Sequence, residues 1–411
     1  MITMEKEYKI AVVGGGAAGM MAAGTAIMYG ADVTIFEHMS HFGKKLAITG
    51  KGRCNVTNNC SRDEFLDNVT KNPRFLYSAL DILSPAETID FFEGLGITLK
   101  TERGNRVFPV SDKSTDIVNA LIGQASVLGV KIINETVKCL TFDLGAISGL
   151  KTDISEYNFD SVIVCTGGLS YPKTGSTGDG YRFAKTAGHT VTELKPSLVP
   201  LESKDRICKE LQGLSLKNIN FSVTSGSKMI FEEFGEMIFT HFGISGPVVL
   251  SASSRMKSPK QNEYIAHIDL KPALSEEKLD ERVRRDFNEM LNKSVKNSLD
   301  KLLPKKMIPV IIERSGIDPD KKVNTVTKEE RKRLIECLKD LKISVSDFRP
   351  IEEAIVTSGG ISVKEIDPKT MKSKLIDGLY FAGEIIDVDA YTGGFNLQIA
   401  FSTAYAAAVA Q

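Results

Sequence analysis

The sequence predicts an α/β fold in which a parallel-sheet domain is interrupted by an inserted domain. Three observations predict it. A glycine-rich turn follows an apolar run at 9–13, another apolar run at 378–384 ends in an acid, and between them the alternation of strands and helices lapses. The predicted boundaries are 1–189 and 356–411 for the first domain and 190–355 for the inserted domain, β-rich at 190–272 and helical at 273–342.

Composition predicts a soluble cytoplasmic protein. Lys and Arg together number 52, as do Asp and Glu, so no net charge attracts the chain to nucleic acid or to an anionic membrane. The six cysteines are dispersed without a CxxC pair, which is typical of reduced thiols rather than of a disulfide framework. The charge-free stretch at 10–28 is long enough to suggest a membrane span, but its glycines suit a strand, a tight turn and a buried helix.

Residues 8–37 are predicted to form a strand, a helix and a second strand. The run at 9–13 is apolar and β-branched, and small residues at 17–29 predict a buried helix that Gly30 ends. The second strand, at 32–37, ends in Glu37. Such a unit is the usual frame of a dinucleotide-binding turn.

The glycines between the first strand and helix fit that role. Gly14 permits the turn, Gly16 lets a pyrophosphate approach the backbone, Gly19 lets helix and strand pack, and the helix N-terminus attracts the negative charge. Glu37 is expected to accept hydrogen bonds from a ribose hydroxyl and to repel a 2′-phosphate, which disfavours NADP. The alternative is a glycine-rich turn of another α/β fold.

The other predicted elements follow from capping patterns and periodicity. Capping boxes open helices at Ser84 and at Thr327. The further predicted strands lie at 130–133, 159–165, 216–223, 229–239, 264–270 and 378–384, and the further helices at 114–128, 276–292, 305–315, 327–341 and 395–409.

The C-terminal segment distinguishes FAD from NAD as the bound dinucleotide. A strand ending in Gly383-Glu384, then a glycine pair and a helix, is typical of two-dinucleotide-binding flavoproteins, in which the acid reaches the ribityl chain. The helix that begins at Gly394-Phe395-Asn396 would direct its positive end at the flavin and stabilise the reduced form. The alternative for Glu384 is a surface acid at a strand end.

Motifs along nearly the whole chain resemble the YhiN/BaiN-type family of FAD-dependent oxidoreductases, the aminoacetone oxidase-like flavoproteins. The resemblance implies non-covalent FAD in a Rossmann-like domain interrupted by a β-rich and helical domain, and activities that include aminoacetone oxidation and reduction of steroid-like enones. The motifs are Gly43-Lys44-Lys45-Leu46, Thr49-Gly50-Lys51-Gly52-Arg53-Cys54-Asn55, Arg106-Val107-Phe108-Pro109, Thr240-His241, Ser245-Gly246-Pro247, Thr357-x-Gly359-Gly360 and Gly383-Glu384.

The resemblance places Lys45, Thr49, Gly50 and Asn55 along the flavin and Arg53 near its phosphate or ring; a solvated basic loop is the alternative. Thr177-Gly178-Asp179-Gly180 resembles a segment of the broader fumarate reductase-like flavoproteins, but that group's dicarboxylate-reducing acid has no clear counterpart. The predicted FAD contacts are Gly14, Gly16, Ala18, Gly19, Glu37, Lys45, Thr49, Gly50, Arg53, Asn55, Val137, Thr166, Gly167, Gly168, Asp179, Gly383, Glu384, Gly394, Phe395 and Asn396.

His241 and Tyr391 are the candidates for catalysis. Each precedes a predicted helix start, and for each a purely structural role is the alternative. Cys54 and Cys60 are spaced unlike a redox-active pair, so a small buried Cys54 is favoured over a dithiol mechanism. No metal-ligand grouping stands out. NAD(P)H remains possible as electron donor, without a Rossmann site of its own.

The predicted function is hydride transfer between a small organic substrate and flavin N5 at the domain interface, as amine or aminoketone oxidation or as enone reduction. Two alternatives belong to other classes. An FAD-dependent RNA-modifying enzyme is disfavoured by zero net charge, and a flavin-binding protein without turnover remains open. The sequence makes no prediction of the oligomeric state.

Overall fold

The computed structural model describes residues 8–411 and divides them into two compact units. One unit runs to Ser197 and resumes at Ile351–Gln411, and the other is Leu198–Pro350. The sequence placed these boundaries at 189/190 and 355/356. The difference arises because Lys195–Ser197 pairs with Val356–Ser358, so both crossing strands belong to the first unit. Residues 1–7, which the sequence assigns to the first domain, lie outside the described residues.

The helices and strands have the following bounds. The helices, in chain order, are α1 (Ala17–Met28), α2 (Lys44–Ile48), α3 (Arg62–Asp67), α4 (Tyr77–Ile82), α5 (Pro85–Gly94), α6 (Ser114–Leu128), α7 (Asp179–Thr186), α8 (Arg206–Glu210), α9 (Pro247–Arg255), α10 (Glu276–Asn288), α11 (Ile308–Ser315), α12 (Lys328–Lys339) and α13 (Phe395–Val409). The strands, in chain order, are β1 (Lys9–Val13), β2 (Asp32–Phe36), β3 (Thr57–Asn58), β4 (Val69–Lys71), β5 (Leu99–Glu102), β6 (Arg106–Pro109), β7 (Lys131–Ile133), β8 (Val137–Asp143), β9 (Ala146–Thr152), β10 (Glu156–Asn158), β11 (Ser161–Val164), β12 (Lys195–Ser197), β13 (Leu201–Glu202), β14 (Ser215–Ser225), β15 (Lys228–Phe239), β16 (Gly243–Ser245), β17 (Tyr264–Asp269), β18 (Leu341–Val345), β19 (Asp347–Phe348), β20 (Val356–Ser358), β21 (Leu379–Phe381) and β22 (Asp389–Ala390).

A five-stranded parallel sheet forms the centre of the first unit. Its strand order is β21, β11, β1, β2, β7. Strand β21, from the C-terminal part of the chain, therefore lies at one edge of a sheet whose central strand is β1. Strands β21, β11, β1 and β2 are largely apolar and buried, as expected of a sheet covered on both faces, whereas the edge strand β7 is mostly exposed. The predicted α/β fold is confirmed.

Local sequence signals located most helix ends correctly. Helices α6 and α13 have the predicted bounds, and both predicted capping boxes are present, at Ser84 with Glu87 and at Thr327 with Glu330. The predicted helix 276–292 ends earlier, at Asn288. The predicted helix 305–315 begins with one 3₁₀ turn, Lys305–Met307, before α11.

The second unit is built on a seven-stranded sheet with its own apolar core. The strand order is β18, β17, β14, β15, β16, β13, β19, and the neighbouring strands are antiparallel. Strand β18 corrects the predicted subdivision, because it follows the helices and returns to pair with β17. The alternation of Leu341, Ile343 and Val345 is the signal that marks it. None of the described helices has the length and apolar content needed to cross a bilayer.

His189 is buried in the first unit beside a hydroxyl and a carboxylate. Its Nε2 lies 2.8 Å from Ser373 Oγ and its Nδ1 lies 3.3 Å from Glu365 Oε2, while its ring packs edge-on against Phe381. Burial lowers the pKa of His189, and the Glu365 carboxylate opposes that effect only in part. The folded protein therefore favours the neutral imidazole.

We expect this burial to make the stability of the protein depend on pH. Because the folded pKa lies below the ordinary value of 6.5, the unfolded chain binds more protons, and the stabilisation is complete above that value and lost as the pH falls. In His189→Gln the free energy of unfolding should fall less between pH 7 and pH 5 than in the wild type. Equal losses in urea titrations of both proteins would contradict the assignment.

Candidate functional site

The glycine-rich turn between β1 and α1 has the geometry of an anion-binding turn. Gly14 has φ +106°, and a Cβ built on it would lie 2.7 Å from the Cys165 carbonyl oxygen. A Cβ on Gly19 would lie 1.7 Å from the carbonyl oxygen of Gly14. At Gly16, by contrast, no described atom beyond the chain neighbours comes within 4 Å of such a Cβ. The first and third glycines serve the turn and the packing, and the second leaves room beside the first N–H groups of α1.

Glu37 holds this turn at the end of β2. Its Oε2 accepts a hydrogen bond of 2.6 Å from the Gly15 N–H, and its Oε1 accepts one of 2.7 Å from the Met39 N–H. The side chain is buried against the turn. A carboxylate has lone pairs for further donors, so a ribose hydroxyl can still bind there. That role of Glu37 stays a prediction.

Glu384, after β21, is the centre of a polar cluster. Its Oε2 lies 2.5 Å from Lys45 Nζ, and its Oε1 accepts hydrogen bonds from Ser170 Oγ at 2.8 Å and from the Thr357 N–H at 2.9 Å. Lys45 Nζ also lies 2.6 Å from Ser170 Oγ. The side chains of Lys45 and Glu384 are about one-fifth exposed, so one edge of the pair remains accessible to a ligand.

Gly168 and Gly383 allow these segments to approach. A Cβ on Gly168 would lie 2.4 Å from Thr357 Oγ1 and 2.9 Å from Glu384 Oε1. A Cβ on Gly383 would lie 2.9 Å from the methyl carbon of Ala18, in the first turn of α1. Gly167, with φ +71°, is likewise close to Ser176 Oγ. Gly168 therefore serves the cluster around Glu384, in addition to any contact with the cofactor.

The start of α13 offers backbone groups rather than side chains. Gly393 and Gly394 have positive φ values, and α13 begins at Phe395. The Phe395 ring packs edge-on against Phe65. The Asn396 amide accepts from the Ala390 N–H and donates to the Ala390 carbonyl. The side chains predicted here as FAD contacts thus hold the loop, and only the N–H groups of the first turn are free to face a ligand.

Arg53 is bound to carboxylates in the structure. Its guanidinium donates to Glu102 and Asp112 and lies 4.1 Å from the centre of the Phe108 ring. Two acids therefore compensate the charge that the sequence assigned to a phosphate or to the flavin ring. In the same loop, Thr49 donates to the Leu46 carbonyl, and Gly50 adopts a left-handed conformation. Their contacts with FAD stay predictions.

Two buried oxygen atoms near the predicted site have no partner among residues 8–411. They are Asn55 Oδ1 and Thr166 Oγ1. Buried polar atoms normally have a hydrogen-bond partner. Two such atoms without a partner, both at predicted cofactor positions, therefore favour a bound polar group there. Together with the open space at Gly16, these atoms fit a dinucleotide. The residues present are therefore compatible with FAD.

The remaining predicted contacts lie in the same unit. Val137 is buried at the start of β8. Asp179, the first residue of α7, accepts hydrogen bonds from Thr177 and Arg182.

The two catalytic candidates lie in different units. His241 is exposed in the turn between β15 and β16 of the second unit, beside the Phe242 ring. Tyr391 is half-buried in the first unit, directly before the Gly393-Gly394 turn, and its N–H donates to the Asn68 carbonyl. Tyr391 is thus placed next to the start of α13. Neither role is established by position alone.

Cys54 and Cys60, in the segment between α2 and α3, are unsuited to a dithiol mechanism. Burial raises the pKa of the Cys54 thiol to about 12, and burial with the nearby Glu64 carboxylate raises that of Cys60 to about 11. Thiol exchange needs the thiolate, and both groups are protonated at neutral pH.

Sequence reasoning did not select several polar residues of this region. Ser170 and Thr357 position Glu384, and Asp389 accepts hydrogen bonds from Thr70, Ser197 and Ser358. Thr357 is part of a motif on which the family resemblance rests, but its role depends on residues that are distant from it in the sequence. Asp387 and Asp389, which follow Glu384, could have indicated a polar cluster from the sequence alone. Charged residues seldom follow a buried strand unless they have partners.

The parallel sheet, the glycine turn at its edge and the acid brought from the far end of the chain define a dinucleotide-binding flavoprotein. The chain belongs to the family described as HI0933-like protein Rossmann domain, whose model matches residues 8–410. The resemblance stated from the motifs is thereby confirmed, as is the prediction of an oxidoreductase enzyme.

Two relatives and one solved structure illustrate the similarity. The 3-dehydro-bile acid delta(4,6)-reductase of Clostridium scindens is 30% identical, with 97% of this chain and 98% of the relative covered. The ribosomal RNA dihydrouridine synthase of Haemophilus influenzae is 32% identical, with 97% of each chain covered. The 3-ketosteroid delta1-dehydrogenase of Sterolibacterium denitrificans has the same fold, with 13% identity, a TM-score of 0.55, and 98% of this chain and 99% of that chain covered.

Replacing Glu37 tests the ribose assignment. Glu37→Gln removes the charge and replaces one of the two oxygens that accept the Gly15 and Met39 N–H groups by an NH2 group. It therefore loosens the turn and weakens the hydrogen bonds expected from ribose, which are worth about 1.5–3 kcal/mol. The Kd for FAD should rise by about tenfold or more. Asp32→Asn, at the other end of β2 and paired with exposed Lys131, is the control. An FAD titration in which the two variants behave alike would reject the assignment.

Replacing Thr357 tests how the segment of Ser170, which binds Glu384, is held in place. Thr357 Oγ1 accepts the Leu169 and Ser170 N–H groups, and Thr357→Val leaves both buried donors unpaired at a cost of about 1–3 kcal/mol. The variant should unfold at lower urea and bind FAD more weakly. Thr357→Ser should retain both properties. If the valine variant matches the serine variant in both measurements, the Thr357 hydroxyl does not hold the segment of Ser170 in place.

Proposed function

We propose that the protein transfers hydride between non-covalently bound FAD and a carbon–carbon double bond conjugated to a carbonyl group. One observation carries the choice of bond. The two relatives align over nearly the whole chain and have names that refer to different molecules, a 3-oxo bile acid and a uridine in RNA. In both molecules the double bond is conjugated to a carbonyl. Aminoketone oxidation, the other reaction expected from the sequence, lacks comparable support.

The first unit supplies what such a cofactor requires. The N–H groups at the start of α1, beside Gly16, suit the pyrophosphate, Glu37 suits the ribose, and the Lys45–Glu384 pair suits the polar groups of the ribityl chain. FAD, when bound, supplies the hydride chemistry. The protein's own contribution is to bind and orient it.

Conjugation to a carbonyl sets a second requirement. Hydride addition at the far carbon places negative charge on the carbonyl oxygen, so a nearby donor accelerates the reaction and a proton must be delivered. Tyr391 is our proposed donor in the first unit, because it directly precedes the turn that begins α13. His241 is the alternative in the second unit. NADH or NADPH is the proposed source of electrons and requires no separate site.

RNA is the second candidate substrate. It is favoured by the Haemophilus relative and by the excess of Lys and Arg over Asp and Glu in Leu198–Pro350. The neutral whole chain counts against it. A steroid-like substrate and a uridine in RNA both contain a carbon–carbon double bond conjugated to a carbonyl. The proposal about the kind of bond therefore does not depend on which of the two is the substrate.

Anaerobic reduction followed by oxidation tests the proposal. The purified protein should be yellow and release FAD on acid denaturation, and NADH or NADPH should bleach the flavin absorption band. A 4-ene-3-oxosteroid should restore the band, as should a uridine-rich RNA if RNA is the substrate. Recovery of no FAD, or bleaching of the oxidised protein by aminoacetone with no response to either conjugated compound, would contradict the proposal.

A further inference from the structure

Tyr181 presents a buried hydroxyl that the sequence motifs did not select. It lies in the first turns of α7 and is 4% exposed, yet its hydroxyl has no hydrogen-bond partner anywhere in the described part of the chain. Leaving a buried hydroxyl unpaired costs about 1–3 kcal/mol, and protein interiors contain few such groups. A ligand that reaches this hydroxyl would remove the cost.

A second unpaired hydroxyl lies next to the same helix turn. Thr166 Oγ1 is buried with no hydrogen-bond partner in the described ranges, and a Cβ built on Gly180 would lie 2.0 Å from it. Gly180 directly precedes Tyr181. Thr166 follows β11, whose carboxyl end lies at the edge of the sheet where open α/β proteins bind their ligands. Thr166 and the first turn of α7 therefore pack against each other in the first unit, and each segment carries one such hydroxyl.

The charges around Tyr181 determine which hydrogen-bonding role it can take. Burial raises the pKa of Tyr181, and the carboxylates of Glu384 and Asp387 raise it further. The phenol therefore stays protonated at neutral pH and can donate a hydrogen bond. Glu384 is engaged by Lys45, Ser170 and Thr357, and Asp387 is paired with Lys71 at 2.6 Å. Neither carboxylate is hydrogen-bonded to the phenol.

We propose that the Tyr181 hydroxyl is a cofactor-binding group, which donates a hydrogen bond to an oxygen or nitrogen acceptor of bound FAD. The inference rests on FAD as the cofactor, as proposed above. It adds a residue outside the motifs that carry the family resemblance. Thr166 supplies the neighbouring hydroxyl of the same contact region.

Tyr181→Phe is a sharp test because it removes no side-chain hydrogen bond among residues 8–411. The apoprotein should be as stable as the wild type or more so, since an unpaired buried hydroxyl is lost. The Kd for FAD, measured by quenching of flavin fluorescence on titration with apoprotein, should rise about three- to tenfold. Thr166→Val, a substitution of similar shape, should act in the same direction.

Tyr157→Phe is the matched control. Its hydroxyl donates to Glu135 at 3.0 Å, so this variant should lose stability and keep its FAD affinity. If Tyr181→Phe folds and its FAD affinity equals that of the wild type, the proposal is overturned and the cofactor assignment stands. If the wild type itself binds no FAD, both proposals fail. Should Tyr181→Phe not fold, an unchanged Kd in Thr166→Val overturns the proposal.

Discussion

The carboxylate of Glu384 joins parts of the chain that are far apart in sequence, and the candidate site depends on that junction. Lys45 reaches it from α2, Ser170 from the segment after β11, and Thr357 from β20. A largely buried carboxylate costs free energy unless it is paired and hydrogen-bonded, so these partners stabilise it where it lies. Loss of Lys45 would leave it with neutral donors, Ser170 and the Thr357 N–H, among the partners described here.

This junction also explains why the first unit tolerates an insertion. Ser170 precedes the second unit in the chain and Thr357 follows it, yet both bind the same carboxylate. Strand β12 precedes the second unit and β20 follows it, and the two strands pair with each other in the first unit. All the residues that we assign to the cofactor belong to the first unit. The second unit has a separate apolar core.

Prediction from sequence succeeded where the signal is local and failed where it is not. The bounds of α6 and α13, the capping boxes and the glycine turn follow from residues within a few positions of one another. The alternation that marks β18 spans only five residues and was missed, because so short a pattern identifies a strand only together with its partner β17, on the other side of three helices. The acid partners of Arg53 and the unpaired state of Tyr181 depend on contacts that no local pattern encodes.

Hydrogen bonds of buried polar side chains fix the position of the loop that leads into α13. Asp389, just before it, accepts hydroxyl hydrogen bonds from Thr70, Ser197 and Ser358, and burial raises its pKa although those hydroxyls oppose the rise. An unsupported acid there would be strongly destabilising, so the loop is confined to the arrangement in which the hydroxyls meet it. Asn396 then fixes the next turn through Ala390. The electrostatic effect of a helix N-terminus on a ligand is confined to its first turn. By fixing the loop before α13, these hydrogen bonds therefore determine where that positive end lies.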